Sequence, residues 1–404
     1  MRFIHCTSLL LTAAIAASFL SACGGGSTQA PVVLPSSLAP VSQAPSGVVQ
    51  TANPAVDTFV QAMMKEGEIP GLSLAVLENG KLIYSKAYGY ANLANASPVT
   101  SEHKFQIGSI TKSFTAVAVM LLVEEGKIKL DDPVSAYIGP VPASWTPITV
   151  RHLLNHTSGL REDPDEAGMR QLLDRFPDTD AQFIELVKNI PLLDAPGAAY
   201  SYSNIGFNIL GYVIAKASGK SYGQFFHERI FSPLKMNSTR IMHRDDSLAT
   251  MATGYIKTGA KIEPDTMDKQ KSRHLLSRAA SGIESTALDL AKFDAALHDG
   301  VLPSLASRAE MWTNSSVAQA AGAPGGASVY YGLGWFLSTV DGYRKVYHSG
   351  GMPAYSSDFI RYPREGISVI VLTNQGYTRK EHQLISRKVA QLFRPGLPYC
   401  CDPK

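Results

Sequence analysis

Apolar and polar residues recur in two rhythms along this chain, and the changes of rhythm mark its elements. Between Ala55 and Lys65 the side chains Val56, Phe59, Val60 and Met63 fall at helical spacing, which predicts an amphipathic helix. Gly71–Val76 and Leu82–Tyr88 read as strands, and Asn79-Gly80 between them predicts a tight hairpin. Ser109–Glu125 carries Phe114, Val117, Val119, Met120, Leu121, Leu122 and Val123. Apolar residues on nearly every side of a helix predict burial, and Gly126 is expected to end it. Roughly 131 to 310 reads as mainly helical and loop-rich, with Ile205–Ala217 and Ala287–Leu297 its clearest helices. Strands return at Trp335–Thr339 and Tyr343–Tyr347 around Asp341-Gly342, then at Ser356–Tyr362 and Ile367–Leu372 around Pro363-Arg364-Glu365-Gly366. Glu381–Phe393 closes as an amphipathic helix. Strands at both ends of a helical middle predict an α+β fold: an antiparallel sheet flanked by N- and C-terminal helices, plus a mainly helical insertion lobe.

The first residues follow neither rhythm. Leu9–Leu20 is an apolar run too short to span a bilayer, behind a single Arg2. It ends in Leu20-Ser21-Ala22-Cys23, where small residues before a cysteine resemble a bacterial lipobox. On that reading Met1–Ala22 is a signal peptide and Cys23 carries the lipid; the plainer alternative is a secretory signal cut near Ala22. Cys23 is followed by a flexible tether instead of a fold, which favours the lipoprotein. Residues 23–52 form a linker rich in Gly, Ser and Pro, with no charge from 24 to 51. Gly24, where an aspartate would retain the protein, permits export to an outer membrane. A folded domain is expected over 53–395 and a short tail over 396–404.

Composition narrows the function classes. The chain has 404 residues, 45% hydrophobic and 18% charged, with net charge +3. That is globular, and it holds no basic run that would bind nucleic acid. Of four cysteines, Cys6 leaves with the signal and Cys23 is acylated. Cys400 and Cys401 are neighbours near the end and cannot staple distant segments. No C-x-x-C, H-E-x-x-H or Cys/His cluster suggests a metal.

Three short stretches carry chemistry. In Gln106-Ile107-Gly108-Ser109-Ile110-Thr111-Lys112, Ser109 and Lys112 stand at helical spacing i, i+3 and share a face. A serine hydroxyl becomes a nucleophile when a base takes its proton, and a buried lysine can supply that base near neutral pH. The plainer reading makes Ser109 a helix cap and sends Lys112 to solvent. Ser232-Pro233-Leu234-Lys235 repeats the spacing, so one of the two is accidental. Tyr202-Ser203-Asn204 lies where a loop enters a helix: Tyr202 could act as a phenolic acid or base and Asn204 hold a substrate amide, or Ser203 or Asn204 could cap the helix. Tyr90-Ala91-Asn92 copies its form on a hairpin strand. His348-Ser349-Gly350-Gly351 ends the strand Arg344–Tyr347, and its glycines permit close approach of a ligand or backbone. His156 reads as structural, holding the turn Thr157-Ser158-Gly159.

In this order and spacing the three stretches resemble the serine β-lactamase/penicillin-binding family of the class C type, which includes DD-peptidases and esterases. The resemblance covers about 53–395. It extends to Leu153-Leu154-Asn155-His156-Thr157-Ser158-Gly159-Leu160, Ser281-Gly282-Ile283-Glu284-Ser285-Thr286 and Tyr331-Gly332-Leu333-Gly334-Trp335. It demotes Ser232 and Tyr90, which lie out of order. It implies that Ser109 attacks a carbonyl to form an acyl-enzyme, with Lys112 and Tyr202 sharing the proton work. The backbone N–H groups of Ser109 and Gly351 would form the oxyanion hole, and Asn204, His348, Ser349 and Gly350 would bind substrate. No metal or organic cofactor is implied, and no protein partner. The substrate implied is a D-alanyl peptide or a small ester; the alternatives are a class C β-lactamase and a non-catalytic penicillin- or cell-wall-binding protein. Class C β-lactamases carry lysine where this chain has His348, which would hold a substrate carboxylate only when protonated. The expected location is exported, anchored to a membrane through Cys23, at the outer membrane or periplasmic face.

Overall fold

The computed structural model describes residues 49–162, 180–243, 249–259, 261–265, 278–315, 317–320, 328–376 and 381–399. The signal, Cys23, most of the expected linker, Cys400 and Cys401 lie outside the described residues. In chain order the strands are β1 (Gly71–Glu78), β2 (Lys81–Asn92), β3 (Ser97–Pro98), β4 (Phe105–Gln106), β5 (Arg240–Ile241), β6 (Tyr255–Thr258), β7 (Lys261–Pro264), β8 (Ile283–Ser285), β9 (Gln319–Ala320), β10 (Val329–Tyr331), β11 (Phe336–Val340), β12 (Tyr343–Met352), β13 (Tyr355–Tyr362) and β14 (Ile367–Thr373). The helices longer than ten residues, among those described, are α1 (Pro54–Gly67), α2 (Thr111–Glu124), α3 (Asn204–Ser218), α4 (Ala287–Asp299) and α5 (Glu381–Phe393).

The main sheet has nine strands in the order β3-β2-β1-β14-β13-β12-β11-β10-β9, so strands from the two ends of the described sequence, β1 and β14, lie side by side within it. β1 pairs antiparallel with β14, Leu74 opposite Val371. Both strands are almost wholly buried because both sheet faces are covered. Leu72, Leu74 and Val76 pack with Val369 and Val371 against Val56 and Val60 of α1 and Ile385 and Val389 of α5. Ala75 and Leu77 point the other way, with Ile370 and Leu372, into the larger core that holds α2, α3 and α4. The alternation of strand side chains therefore divides the interior into two apolar layers.

Local chemistry sets the boundaries. Asn53 caps α1 by accepting from the Val56 N–H, and Pro54 begins the helix. Asn79 and Gly80 both have positive φ (49° and 73°), as do Asp341 and Gly342 (51° and 81°), the backbone that two-residue hairpin turns require. The fold starts slightly before the expected domain boundary: the Gln50 N–H donates to Ile83 O at 3.0 Å and the Ser85 N–H to Gln50 O at 3.2 Å. The middle of the chain also holds more strand than its pattern predicts. β6 and β7 form a hairpin, and β8 joins β4 and β5 in a small sheet. Strands of two to four residues are too short for alternation to show.

Candidate active site

The helix carrying Lys112 is buried from Thr111 to Leu122. It is entered through a tight 3-10 turn, Gly108–Ile110, and Ser109 lies half-buried there at its head. The structure thus refines the predicted helix start from Ser109 to Thr111. Gly108 has φ 50°, and a Cβ on it would stand 2.9 Å from Gly351 N. A Cβ on Gly350 would stand 2.0 Å from Ile107 O. Glycine at both positions lets β12 lie directly against the Ser109 turn, and the Ser357 hydroxyl ties the contact by donating to Ile107 O at 2.9 Å.

The stretches noted around the motifs brace the same helix. Gly334 (φ 79°) would bring a Cβ within 2.5 Å of Ala116 and 2.9 Å of Lys112 O. Its carbonyl accepts the Ser113 hydroxyl at 3.1 Å, and its N–H donates to Leu154 O at 3.1 Å. On the opposite side the Ile283 N–H donates to Thr111 Oγ1 at 3.2 Å, and Thr115 Oγ1 donates to Ala279 O at 2.7 Å.

Lys112 is fully buried. Its Nζ lies 3.1 Å from Ser109 Oγ, 2.7 Å from Asn204 Oδ1 and 3.0 Å from Ala280 O. The amine also lies 4.7 Å from the ring centre of Tyr202. Ser203 caps α3 by accepting the Gly206 N–H at 3.0 Å. This settles which residue is the cap, and lets Asn204, the first helical residue, turn its amide oxygen to the lysine. Ser109, Lys112, Tyr202 and Asn204 thus meet around one ammonium-sized point. Ser232 and Lys235 do not share a helical face: the Lys235 N–H donates to Ser232 O in a turn, and Lys235 has φ 54°. Tyr90 is exposed on β2.

His348 and Ser349 point to opposite faces of β12, as neighbours in a strand must. His348 enters the site: Nδ1 donates to Ser349 O at 2.7 Å, and Nε2 accepts from Tyr331 Oη at 2.8 Å, the assignment a carbonyl acceptor requires. Burial, and then the positive charge of Lys112, lower its pKa to about 3. The protonation that carboxylate binding by His348 would require is therefore disfavoured in the folded protein. The Ser349 hydroxyl turns toward α5, donating to Asp358 Oδ1 at 2.7 Å and accepting from Gln383 Nε2 at 3.0 Å. The motif also lies inside a strand and not at the end of one. β11 stops at Phe336, opposite Tyr347, so β12 continues past it with that edge unpaired by β11.

His156 serves a different purpose from the expected turn. It has φ 60°, is wholly buried, and its Nδ1 accepts the Ser203 N–H at 3.0 Å. Rings surround it, with Tyr202 at 4.3 Å, Tyr331 at 4.5 Å and Phe207 at 5.0 Å between centroids. The sequence pattern overlooked Tyr331 and the Ala280 carbonyl. Tyr331 begins the Tyr-Gly-Leu-Gly-Trp stretch, whose glycines were its one available sign; a backbone carbonyl leaves none.

A helix-borne lysine joined to a half-buried serine, beside a Tyr-x-Asn corner and a glycine-rich strand, defines a class of protein. The chain matches the family model described as Beta-lactamase over residues 56–392. It belongs to the β-lactamase family, whose serine hydrolases include DD-peptidases and esterases. It is similar to Penicillin-binding protein 4* of Bacillus subtilis (strain 168), 30% identical over 362 residues, covering 85% of this chain and 76% of the relative. Relatives named Protein flp, from Staphylococcus aureus, match at 27% identity, and the chain spans 62% of their length. Among solved structures it is similar to the octameric penicillin-binding protein homologue from Pyrococcus abyssi, with TM-score 0.72, 29% identity, 84% of this chain and 76% of that one. It shares its fold with EstCE1, a hydrolase with promiscuous acyltransferase activity, with TM-score 0.70, 24% identity, 83% of this chain and 97% of that one.

Proposed function

We propose that this protein is an acyl-enzyme-forming hydrolase of an ester or amide, with Ser109 as nucleophile. The observation that carries the proposal is Lys112 Nζ standing 3.1 Å from Ser109 Oγ while also meeting Asn204 Oδ1 and Ala280 O. The last two are acceptors only and hold the amine by its N–H groups beside the Ser109 hydroxyl, whose proton passes to Lys112 or Tyr202 as the serine attacks. Tyr202, over whose ring the amine lies, shares the proton work with Lys112. The N–H groups of Ser109 and Gly351 hold the developing oxyanion, each donor being worth about 3 kcal/mol. The substrate lies along β12 past Tyr347, in the manner of an added strand, with Asn204 holding its amide or ester dipole. The carbonyl C–O or C–N bond breaks as the proton taken from Ser109 is passed to the departing alcohol or amine, and water then hydrolyses the Ser109 ester to release the acid.

A small uncharged ester suits this site better than a D-alanyl peptide ending in a carboxylate, because His348 offers no charge there. The family's DD-peptidases keep the peptide as the second substrate. The same neutral imidazole makes efficient β-lactam hydrolysis the least favoured reading. The lipobox-like Leu20-Ser21-Ala22-Cys23 supports an exported protein, held at a membrane by lipid on Cys23.

The experiment is fluorophosphonate labelling together with p-nitrophenyl acetate turnover. Wild type is expected to label and turn over; Ser109→Ala should abolish both, and Lys112→Ala should slow acylation by about a hundredfold or more. In cells the labelled band should be in the membrane fraction, and in the soluble fraction for Cys23→Ala. A folded wild type that never labels would return the protein to a non-catalytic binding role. Labelling that survives Ser109→Ala would move the nucleophile elsewhere.

A further inference from the structure

We infer that His156 is a positioning residue for the Tyr202-Ser203-Asn204 corner, acting through one hydrogen bond that its ring accepts from the Ser203 backbone. The inference rests on the reading of Ser109 as nucleophile.

Three observations lead to it. The Ser203 N–H can only donate, so His156 Nδ1, 3.0 Å away, bears no proton. The ring is then the Nε2–H tautomer, and Nε2 has no hydrogen-bond partner among the described residues although it is wholly buried. Its surroundings are the faces and edges of Tyr200, Tyr202, Phe207 and Tyr331, at centroid distances from 4.3 to 5.9 Å. A side chain required only for packing at such a place would have no polar atoms; one that fixes a backbone N–H needs the acceptor.

The hydrogen bond acts at a sensitive point. Ser203 lies between the two residues that face Lys112. Its N–H is held by His156, and its hydroxyl donates to Arg161 O at 2.6 Å while accepting the Gly206 N–H. The backbone leading into α3 is therefore pinned on both sides of its cap. That pinning orients Tyr202 over the amine and aims Asn204 Oδ1 at it. Backbone conformation reinforces it: φ 60° at His156 is a left-handed corner that presents the ring inward from the Leu153–Leu160 stretch.

Two substitutions separate hydrogen bonding from packing. His156→Asn keeps an acceptor near the position of Nδ1, tolerates the left-handed backbone, and loses the ring. His156→Phe keeps the ring and loses the acceptor. The expected ranking is acylation by fluorophosphonate within about tenfold of wild type for His156→Asn, and about a hundredfold slower for His156→Phe, as for an ångström-scale misplacement. The loss should be in kcat for p-nitrophenyl acetate, with KM little moved. A His156→Phe protein as fast as His156→Asn, or faster, would overturn the role in favour of packing. Should His156→Phe fail to fold, nitrogen-15 NMR of histidine-labelled wild type decides. An unprotonated Nδ1 at His156 is expected, and a protonated Nδ1 would overturn the inference. A wild type that does not label overturns the Ser109 reading itself, and this outcome is distinct because it appears before any variant is compared.

Discussion

His348 is 1% exposed, with a carbonyl at one ring nitrogen and a phenol at the other. An ordinary histidine changes charge between pH 5 and 8, but this one, lowered to about 3 by burial and by Lys112, stays neutral across that interval. Nitrocefin hydrolysis between pH 5 and 8 is therefore expected to be slow or absent, with no rise toward acid. A rise that vanishes in His348→Gln would show that the imidazole does charge in the site. The residue type was legible in the sequence, and so was its place in the motif. Its charge was not, because that depends on burial and on Lys112, which lies far from it in the chain and comes near only once the molecule has folded.

β12 lies against the Gly108–Ile110 turn at the site, with glycine at the contact and the Ser357 hydroxyl tying it to Ile107 O. The Gly350 position allows no Cβ, with Ile107 O at 2.0 Å and Ser357 Oγ at 2.3 Å, whereas a Cβ on Gly351 meets nothing within 4 Å. Gly350→Ala is expected to destabilise by about 1–3 kcal/mol, as overpacking does, and to slow acylation because it pushes the strand off the Ser109 turn. Gly351→Ala should melt as wild type does and keep most activity, since it retains the backbone N–H. Thermal melting and ester turnover of the two variants check this, and equal losses in both would refute it. Most elements were legible: α5 runs from Glu381 to Phe393 as its amphipathic spacing predicts, and the hairpin turns lie at Asn79-Gly80 and Asp341-Gly342. The far half of β12 was not. Tyr347-His348-Ser349-Gly350-Gly351 lacks a strand's apolar alternation, and it is held extended by ladder partners on β13, Asp358 opposite Ser349 and Ser357 opposite Gly350.

Across the whole molecule, His156, His348 and His382 are all buried with lowered pKa values, His348 and His382 to about 3. Each is neutral when folded and gains a proton readily when unfolded, where its pKa is about 6.5. The stability they contribute is thus complete above pH 6.5 and is lost as pH falls below it, by up to about 4 kcal/mol per pH unit if all three act together. Asp294 and Asp358, whose carboxyls burial raises, oppose this slope. Urea midpoints should fall between pH 7 and pH 5, less steeply in His382→Gln, and a midpoint unchanged over that range would contradict the account. By itself the sequence determined most of the longer elements, the α+β class, and the order Ser109-Lys112, Tyr202-Asn204, His348-Gly350, because helical spacing, turn residues and glycines act locally. Only the tertiary structure decided which serine–lysine pair meets a tyrosine and an asparagine, that His348 is neutral, and that His156 holds Ser203. Those properties depend on distance and on exclusion of water, which segments far apart in the chain acquire only when they pack together.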